Sequence, residues 1–253
     1  MKRLGLFTAM ALVALSVASP VKAQDDVEAT VSADVVNQYI WRGQDLGNVS
    51  FQPTLGVAYK GLSLTAWGSV GLTEASDTKE FDLTAAYAYK GFHIGVTDYW
   101  FNTPNDRYFS YAAHETSHVF EANVGYDFGV FSLDWYTNFA GNDGINKSGD
   151  RAYSSYVEAN VPFKFASCDW TATLGAVPYA TSFYSDASGF AVTNVGVKAS
   201  KDIKITNSFS VPVFAGISAN PSTEKAYLLF GFTLRPLKQF IISNLTPIGS
   251  CAE

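Results

Sequence analysis

Two cysteines in 253 residues, Cys168 and Cys251, make no disulfide framework, and no C-x-x-C pair is present. Charged side chains are only 16% of the chain, against about a quarter in soluble globular domains. Polarity rests instead on Ser, Thr, Asn, Gln and Tyr, which suits a surface mostly not facing bulk water. Beyond the N-terminal residues, no stretch approaches roughly 18 consecutive apolar residues, which excludes a transmembrane helix. Basic residues are scarce too, and so acidic a chain is a poor partner for nucleic acid or anionic lipid. What is abundant is aromatic: 14 Tyr, 19 Phe and 5 Trp beside 20 Gly and only 2 Met. That is a β-rich profile, because aromatic side chains fit the pleated surface of strands.

Residues 1–23 have the form of a cleavable signal peptide. Lys2 and Arg3 form a basic start, residues 4–16 an apolar core too short to span a bilayer, and Val21-Lys22-Ala23 a small-x-small cleavage site. Cleavage removes Lys2, Arg3 and Lys22, taking 17 basic residues to 14 against 23 acidic ones, a net charge near −9.

The mature chain is organised by period-two alternation, the mark of strands with unlike faces. Leu55, Val57 and Tyr59 lead into Lys60-Gly61, and Leu62, Leu64, Ala66, Val70 and Leu72 lead out of it. The two-residue turn shifts the phase, so the apolar face stays on one side, as a β-hairpin requires. The same device recurs at Lys90-Gly91, and Asp127-Phe128-Gly129 serves a third pair. Upstream, Val31, Ala33, Val35, Tyr39 and Trp41 read as one strand. Segments near 120–126, 131–139, 153–163, 170–179, 190–200, 209–217 and 226–234 complete about twelve. Tight turns alternate with long connections such as 102–117 and 141–150.

This pattern predicts an all-β fold: a transmembrane, antiparallel, up-and-down β-barrel of about 12 strands over residues 24–234, followed by a C-terminal periplasmic extension, 235–253. A soluble sandwich or barrel shares the alternation but puts the apolar face inside. The export signal and the asymmetry between tight turns and long loops favour the outer membrane. So do aromatics at strand ends, including Tyr39, Trp41, Tyr59, Tyr89, Trp100, Phe128, Phe139 and Phe163, which read as interfacial girdles. The opposite face carries Asp34, Glu80, Asp82, Glu121, Asp134 and Glu158, too much charge for a dry core.

The run Ser32-Ala33-Asp34-Val35-Val36 with Tyr39-Ile40-Trp41-Arg42-Gly43 resembles the first strand of an uncharacterised family of outer-membrane porin-like proteins of the TorF type. The Ala219-Asn220-Pro221 loop before the last strand is similar as well. The resemblance covers about residues 31–234 and implies an outer-membrane barrel without catalytic residues. It departs where such barrels end on a closing aromatic, since this chain continues past Leu234; Phe230 and Phe232 still resemble a signal for the barrel-assembly machinery.

His114-Glu115-Thr116-Ser117-His118 is a literal H-E-x-x-H, which on a helix would bind zinc with the glutamate as general base. Thr116 and Ser117 are indifferent helix formers, strand alternation resumes at Phe120, and no third histidine follows, so a polar loop entering a strand is the competing reading. His93 falls on the polar face near a tight turn and reads as a hydrogen-bonded lumen residue rather than a hydrolase base. Cys168 and Cys251 are placed so that a tether between turn and tail is geometrically allowed.

The expected pore-lining set is therefore Asp34, Arg42, Glu80, Asp82, Glu121, Asp134, Tyr136 and Glu158, with Lys198 the other inward base. A water-filled lumen of this kind is a narrow passive channel for small neutral or cationic solutes, with outer-membrane lipid as its surroundings and no cofactor. The alternative is a filled, non-conducting barrel that works through its external loops, and, third, an outer-membrane hydrolase or zinc peptidase. Twelve strands lie between filled eight-stranded barrels and open sixteen-stranded porins, so strand number leaves the lumen open or filled.

Overall fold

A computed structural model describes residues 27–101, 107–112, 115–206, 209–236 and 240–242. Fifteen strands follow in order: β1 Val27–Val36, β2 Tyr39–Trp41, β3 Gln44–Gly47, β4 Ser50–Tyr59, β5 Leu62–Gly71, β6 Glu80–Tyr89, β7 Phe92–Phe101, β8 His118–Asp127, β9 Ser132–Gly141, β10 Ser155–Phe165, β11 Cys168–Val177, β12 Ala191–Lys204, β13 Ser210–Asn220, β14 Lys225–Leu234 and β15 Phe240–Ile242. Twelve of them, β1 and β4 to β14, pair antiparallel with their sequence neighbours, and β14 pairs back onto β1 to close a barrel. The up-and-down barrel read from the alternation is the fold.

The turns explain the register. Lys60-Gly61 and Lys90-Gly91 have φ of 49° and 88°, and of 49° and 86°. Both central residues are left-handed, the backbone whose twist matches flanking strands in a two-residue hairpin. Ala166-Ser167 repeats the geometry at 50° and 59°. The other end of the barrel carries the long connections, apart from residues 221–224 between β13 and β14. There the Asn220 side chain accepts the amides of Ser222 and Thr223 at 3.0 and 3.2 Å.

The barrel is inside-out compared with a water-soluble one. Outward Leu64 is 61% exposed while inward Asp82 is 1% exposed. The same contrast holds around the wall, with Leu55, Val96, Val124 and Leu228 outside and Asp34, Glu121, Asp134 and Asn138 inside.

The first strand departs from the expected course. It ends at Val36 rather than running on to Trp41, and β2 and β3 leave the wall as a hairpin that packs inside the lumen. Tyr39 and Trp41 are therefore 4% and 5% exposed in the interior, not girdle aromatics, and Arg42 sits at the hairpin tip rather than on a wall strand. The physical reason lies at Asn37. Its backbone amide donates to Phe230 O at 3.0 Å, its side-chain amide donates to Leu228 O at 2.8 Å, and its side-chain oxygen accepts from Phe230 N at 2.7 Å. One side chain thus continues the β1–β14 ladder while the backbone turns inward.

The β1–β14 seam is short, joining residues 33–36 to 231–234, and β15 pairs with residues 27–29 on the same edge of β1. The sheet therefore resumes after Leu234 within the segment read as an extension; residues 237–239 and 243–253, with Cys251 among them, and the signal segment 1–23 lie outside the described residues. Asn37→Ala is expected to lower stability by about 1–3 kcal/mol, because it leaves Leu228 O and Phe230 N without their partner at the barrel's shortest seam. Urea unfolding in detergent measures it, and a loss under about 0.5 kcal/mol would show that the side chain is not a substitute strand.

Candidate functional site

The lumen is filled from the long-loop end by the 39–47 hairpin and by the 178–190 loop. The hairpin turns at Arg42-Gly43, with φ of 51° and 79°. A non-glycine residue in that region is strained by roughly 1–2 kcal/mol, so an arginine there needs compensation from its surroundings. Gly43 has no freedom to be anything else: a Cβ would overlap the Thr193 carbonyl of β12. The hairpin tip therefore lies flush against β12, and Arg42 projects into the middle of the barrel.

Arg42 meets Glu121 of β8 in a two-pronged ion pair, Nη2 to Oε1 at 3.0 Å and Nη1 to Oε2. Nη1 also donates to Tyr184 Oη at 2.7 Å. Aromatic faces enclose the guanidinium, with ring centroids of Tyr136, Trp41, Tyr156 and Tyr184 at 4.0, 4.5, 4.8 and 5.4 Å. Planar, weakly hydrated guanidinium suits both the fork and the stack in a way an ammonium does not. Glu121 accepts two further hydroxyls, from Tyr99 at 2.9 Å and Tyr184 at 2.6 Å. The pair is 4% and 3% exposed at the side chains, so its charges are compensated by each other and by hydroxyl donors rather than by bulk water.

Tyr184 arrives on a locally built turn. Thr181 Oγ1 accepts the amides of Phe183 at 3.0 Å and Tyr184 at 3.3 Å, and its hydroxyl donates to Ser154 Oγ at 2.7 Å. Ser185 and Asp186 follow with left-handed φ of 57° and 47°. Burial holds the Tyr184 phenol well above its ordinary pKa, so it remains a donor. Hairpin and loop are stitched together, Ser185 N donating to Gln44 Oε1 at 2.9 Å and Asn220 Nδ2 to Gly43 O at 3.0 Å and Ser185 Oγ at 2.8 Å. From the other side the 72–79 loop holds the hairpin base, Thr78 N donating to Leu46 O at 3.0 Å and Asn48 Nδ2 to Asp77 Oδ1 at 2.9 Å. Tyr39, Trp41, Trp67, Tyr99, Tyr136, Tyr156 and Tyr184 form one aromatic core inside the barrel.

All six inward carboxylates of the expected set lie on the interior face, and five have partners. Asp34 accepts from Thr233 Oγ1 at 2.6 Å, Glu80 from Tyr39 Oη at 2.8 Å, and Glu158 from Tyr156 Oη at 2.8 Å and Asn160 Nδ2 at 3.0 Å. Asp134 pairs with His93 Nε2, which makes His93 a hydrogen-bonded lumen residue. Glu121 holds Arg42. Asp82 meets no N–H or hydroxyl donor among the described residues and has the Glu80 carboxyl, two positions away on the same inward face, as its side-chain neighbour. The eight residues thus share one lumen, but Arg42, Tyr136 and Glu121 converge in a plug rather than standing around a free aqueous path. Tyr184, the other half of the plug, escapes sequence reading because a loop has no period; its one signal is a Phe-Tyr pair inside a polar run.

Of the H-E-x-x-H string, residues 115–117 form a turn that leads straight into a strand. His118 lies in β8, and His114 lies outside the described residues. Both ring nitrogens of His118 are engaged, Nδ1 with Asp98 Oδ1 at 2.7 Å and Nε2 with Tyr108 O at 2.6 Å, under the rings of Tyr108 and Tyr111 at 5.1 and 4.5 Å. That side chain fastens residues 107–112 onto the wall, with each ring nitrogen facing a protein oxygen. Cys168, half-buried at the start of β11, has no disulfide partner among the described residues, and Cys251 lies outside them. No family model matches this chain, and no curated protein matches it either.

Proposed function

We propose that the chain is an outer-membrane barrel of the porin-like class, related to the TorF-type family, that acts as a gated narrow channel for small neutral or cationic solutes and not as an enzyme. The inside-out wall supports the membrane setting: exposed Leu55, Leu62, Leu64 and Leu228 form an apolar surface far larger than a soluble monomer leaves bare. Tyr59 and Tyr89 at the tight-turn end, each beneath a lysine ammonium at 5.1 Å, suit a headgroup interface. Outer-membrane lipid and the barrel-assembly machinery are the partners this reading requires, with the tight turns periplasmic and the long loops external.

One observation carries the gating: Arg42 on Glu121 closes the cross-section with the 39–47 hairpin, which is held by loop contacts and leaves the wall complete if it moves. Withdrawal of the hairpin removes Arg42 from Glu121 and Tyr39 from Glu80. The lumen it vacates is lined by Asp34, Glu80, Asp82, Glu121, Asp134 and Glu158, fixed negative charge that concentrates cations at low ionic strength. The second reading, a non-conducting barrel that presents its external loops, is favoured by the same filled cross-section.

Planar-bilayer recording separates the two. Wild type is expected to pass little current. Gly43→Val, whose side chain cannot be seated against Thr193, should conduct with a cation-selective reversal potential under a salt gradient, and adding Glu121→Gln and Asp82→Asn should weaken that selectivity. Silence in both wild type and Gly43→Val, with the barrel shown to be folded, favours the non-conducting reading; anion selectivity would overturn the lumen assignment.

A further inference from the structure

Beneath the hairpin, on its tight-turn side, a narrow cavity of about 40 Å³ lies between the hairpin and the wall around β12 to β14. Its walls are mostly apolar, formed by Val36, Ile40, Trp67, Phe214 and Leu229, and Lys198 enters it as the one charged side chain.

Two donors here have no anionic acceptor in contact with them among the described residues. Trp67 is 6% exposed and its indole Nε1–H has no hydrogen-bond partner among the described residues. The Lys198 ammonium lies 4.0 Å over the Phe214 ring, and no carboxylate of the described residues is within ion-pair distance. Asp34 is the acid that faces it electrostatically from beyond ion-pair distance, and one of its two oxygens accepts from Thr233 Oγ1 at 2.6 Å. Of the other acceptors nearby, Glu80 takes the Tyr39 hydroxyl, while Gln52, whose Nε2 donates to Ser69 Oγ at 3.3 Å, offers only a neutral carbonyl oxygen. A buried donor without an acceptor carries its full desolvation cost, and an ammonium more so.

We propose that this cavity binds a small organic monocarboxylate, its carboxylate oxygens accepting from Lys198 Nζ and Trp67 Nε1 and its short apolar part lying among Val36, Ile40, Phe214 and Leu229. The apolar walls decide the class. A phosphate or sulfate would bury two or more charged oxygens against hydrocarbon with only two donors to meet them. A neutral polyol would leave the ammonium uncompensated and its own hydroxyls unpaired. A two- to four-carbon acid satisfies both donors and fills the rest with methylene. The site needs no current through the barrel, so it stands or falls separately from the channel reading.

The test uses the purified full chain in detergent, titrated calorimetrically with sodium butyrate, butyramide and sodium chloride. Wild type is expected to bind butyrate at one equivalent, with no heat from butyramide, which has the same shape without the charge. Lys198→Gln should weaken butyrate binding about tenfold or more, the scale of losing a charged hydrogen bond, and Trp67→Phe should weaken it severalfold. Equal binding of butyramide, or full binding by Lys198→Gln, overturns the proposal. Chloride competing as well as butyrate makes it an inorganic anion site and overturns the assigned class. The comparison of butyrate with butyramide on wild type keeps the test decisive if a variant fails to fold.

Discussion

Replacing Glu121 with alanine is expected to cost about 3–5 kcal/mol of folding stability, because it strips the carboxylate from a guanidinium that stays enclosed by rings. Arg42 would keep only the Tyr184 hydroxyl as an acceptor, at 2.7 Å, and four aromatic faces. Arg42→Ala should cost less than Glu121→Ala, since Glu121 would still accept from Tyr99 and Tyr184 at 2.9 and 2.6 Å. The double change Arg42→Met with Glu121→Leu should lie closer to wild type than either single truncation, as apolar replacement of a whole buried ion pair is often neutral. Reversible urea unfolding gives all three values. Additive losses in the double variant would show that the two side chains do not act as a pair, and the closed cross-section would need another cause.

This ordering follows from where the pair sits. Its left-handed arginine and the glycine beside it are costly alone, and the ion pair, the stacked rings and the loop stitching offset that cost together. A barrel that needed only rigidity has cheaper ways to fill its lumen with hydrocarbon. On the proposed channel reading, the hairpin that carries this pair lies outside the closed wall and is the element that would have to shift between two arrangements, which is the requirement for a gate.

The wall was legible in the sequence because a strand with unlike faces writes its period into every second residue. Leu62, Leu64 and Ala66, or Phe92, Ile94 and Val96, have no other simple reading, and Lys-Gly turns fixed the phase between them. The inner hairpin was not legible, since Tyr39 and Trp41 continue the odd-numbered apolar series of Val31, Ala33 and Val35. The one interruption is Asn37, a polar residue in an outward slot, and its role as a stand-in strand depends on β14, nearly two hundred residues away. Period-two reading also placed Tyr136 with the carboxylates but could not tell a wet ring of charge from a packed plug. That distinction rests on Tyr184 and on Arg42 leaving the wall, and both are long-range facts. Aromatics sharing a face with so many acids were the available hint, because rings in a water-filled lumen would gain nothing from burial.

Val96→Arg is expected to destabilise the barrel in a bilayer by about 2–4 kcal/mol, the cost of an arginine on the lipid face near mid-depth. Val96 is the fifth of ten residues in β7, faces outward at 43% exposure, and pairs with the small residues Ala85 and Ala122, so nothing across the strands can neutralise a new charge. Leu62→Arg is the control. It is equally outward, at 61% exposure, but sits beside the Lys60-Gly61 turn, where a guanidinium reaches the headgroups and the cost falls to about 0–1 kcal/mol. In a barrel that lived in water, both positions would be exposed surface and both changes would stay within about 0.5 kcal/mol. Unfolding in phospholipid vesicles, together with the shift in gel mobility between unheated and boiled samples, reads the difference. A steep contrast between the two sites places the outward face in lipid with β7 crossing it. Two small and equal effects would mean that the apolar face is covered by something other than a membrane, and the channel reading would go with it.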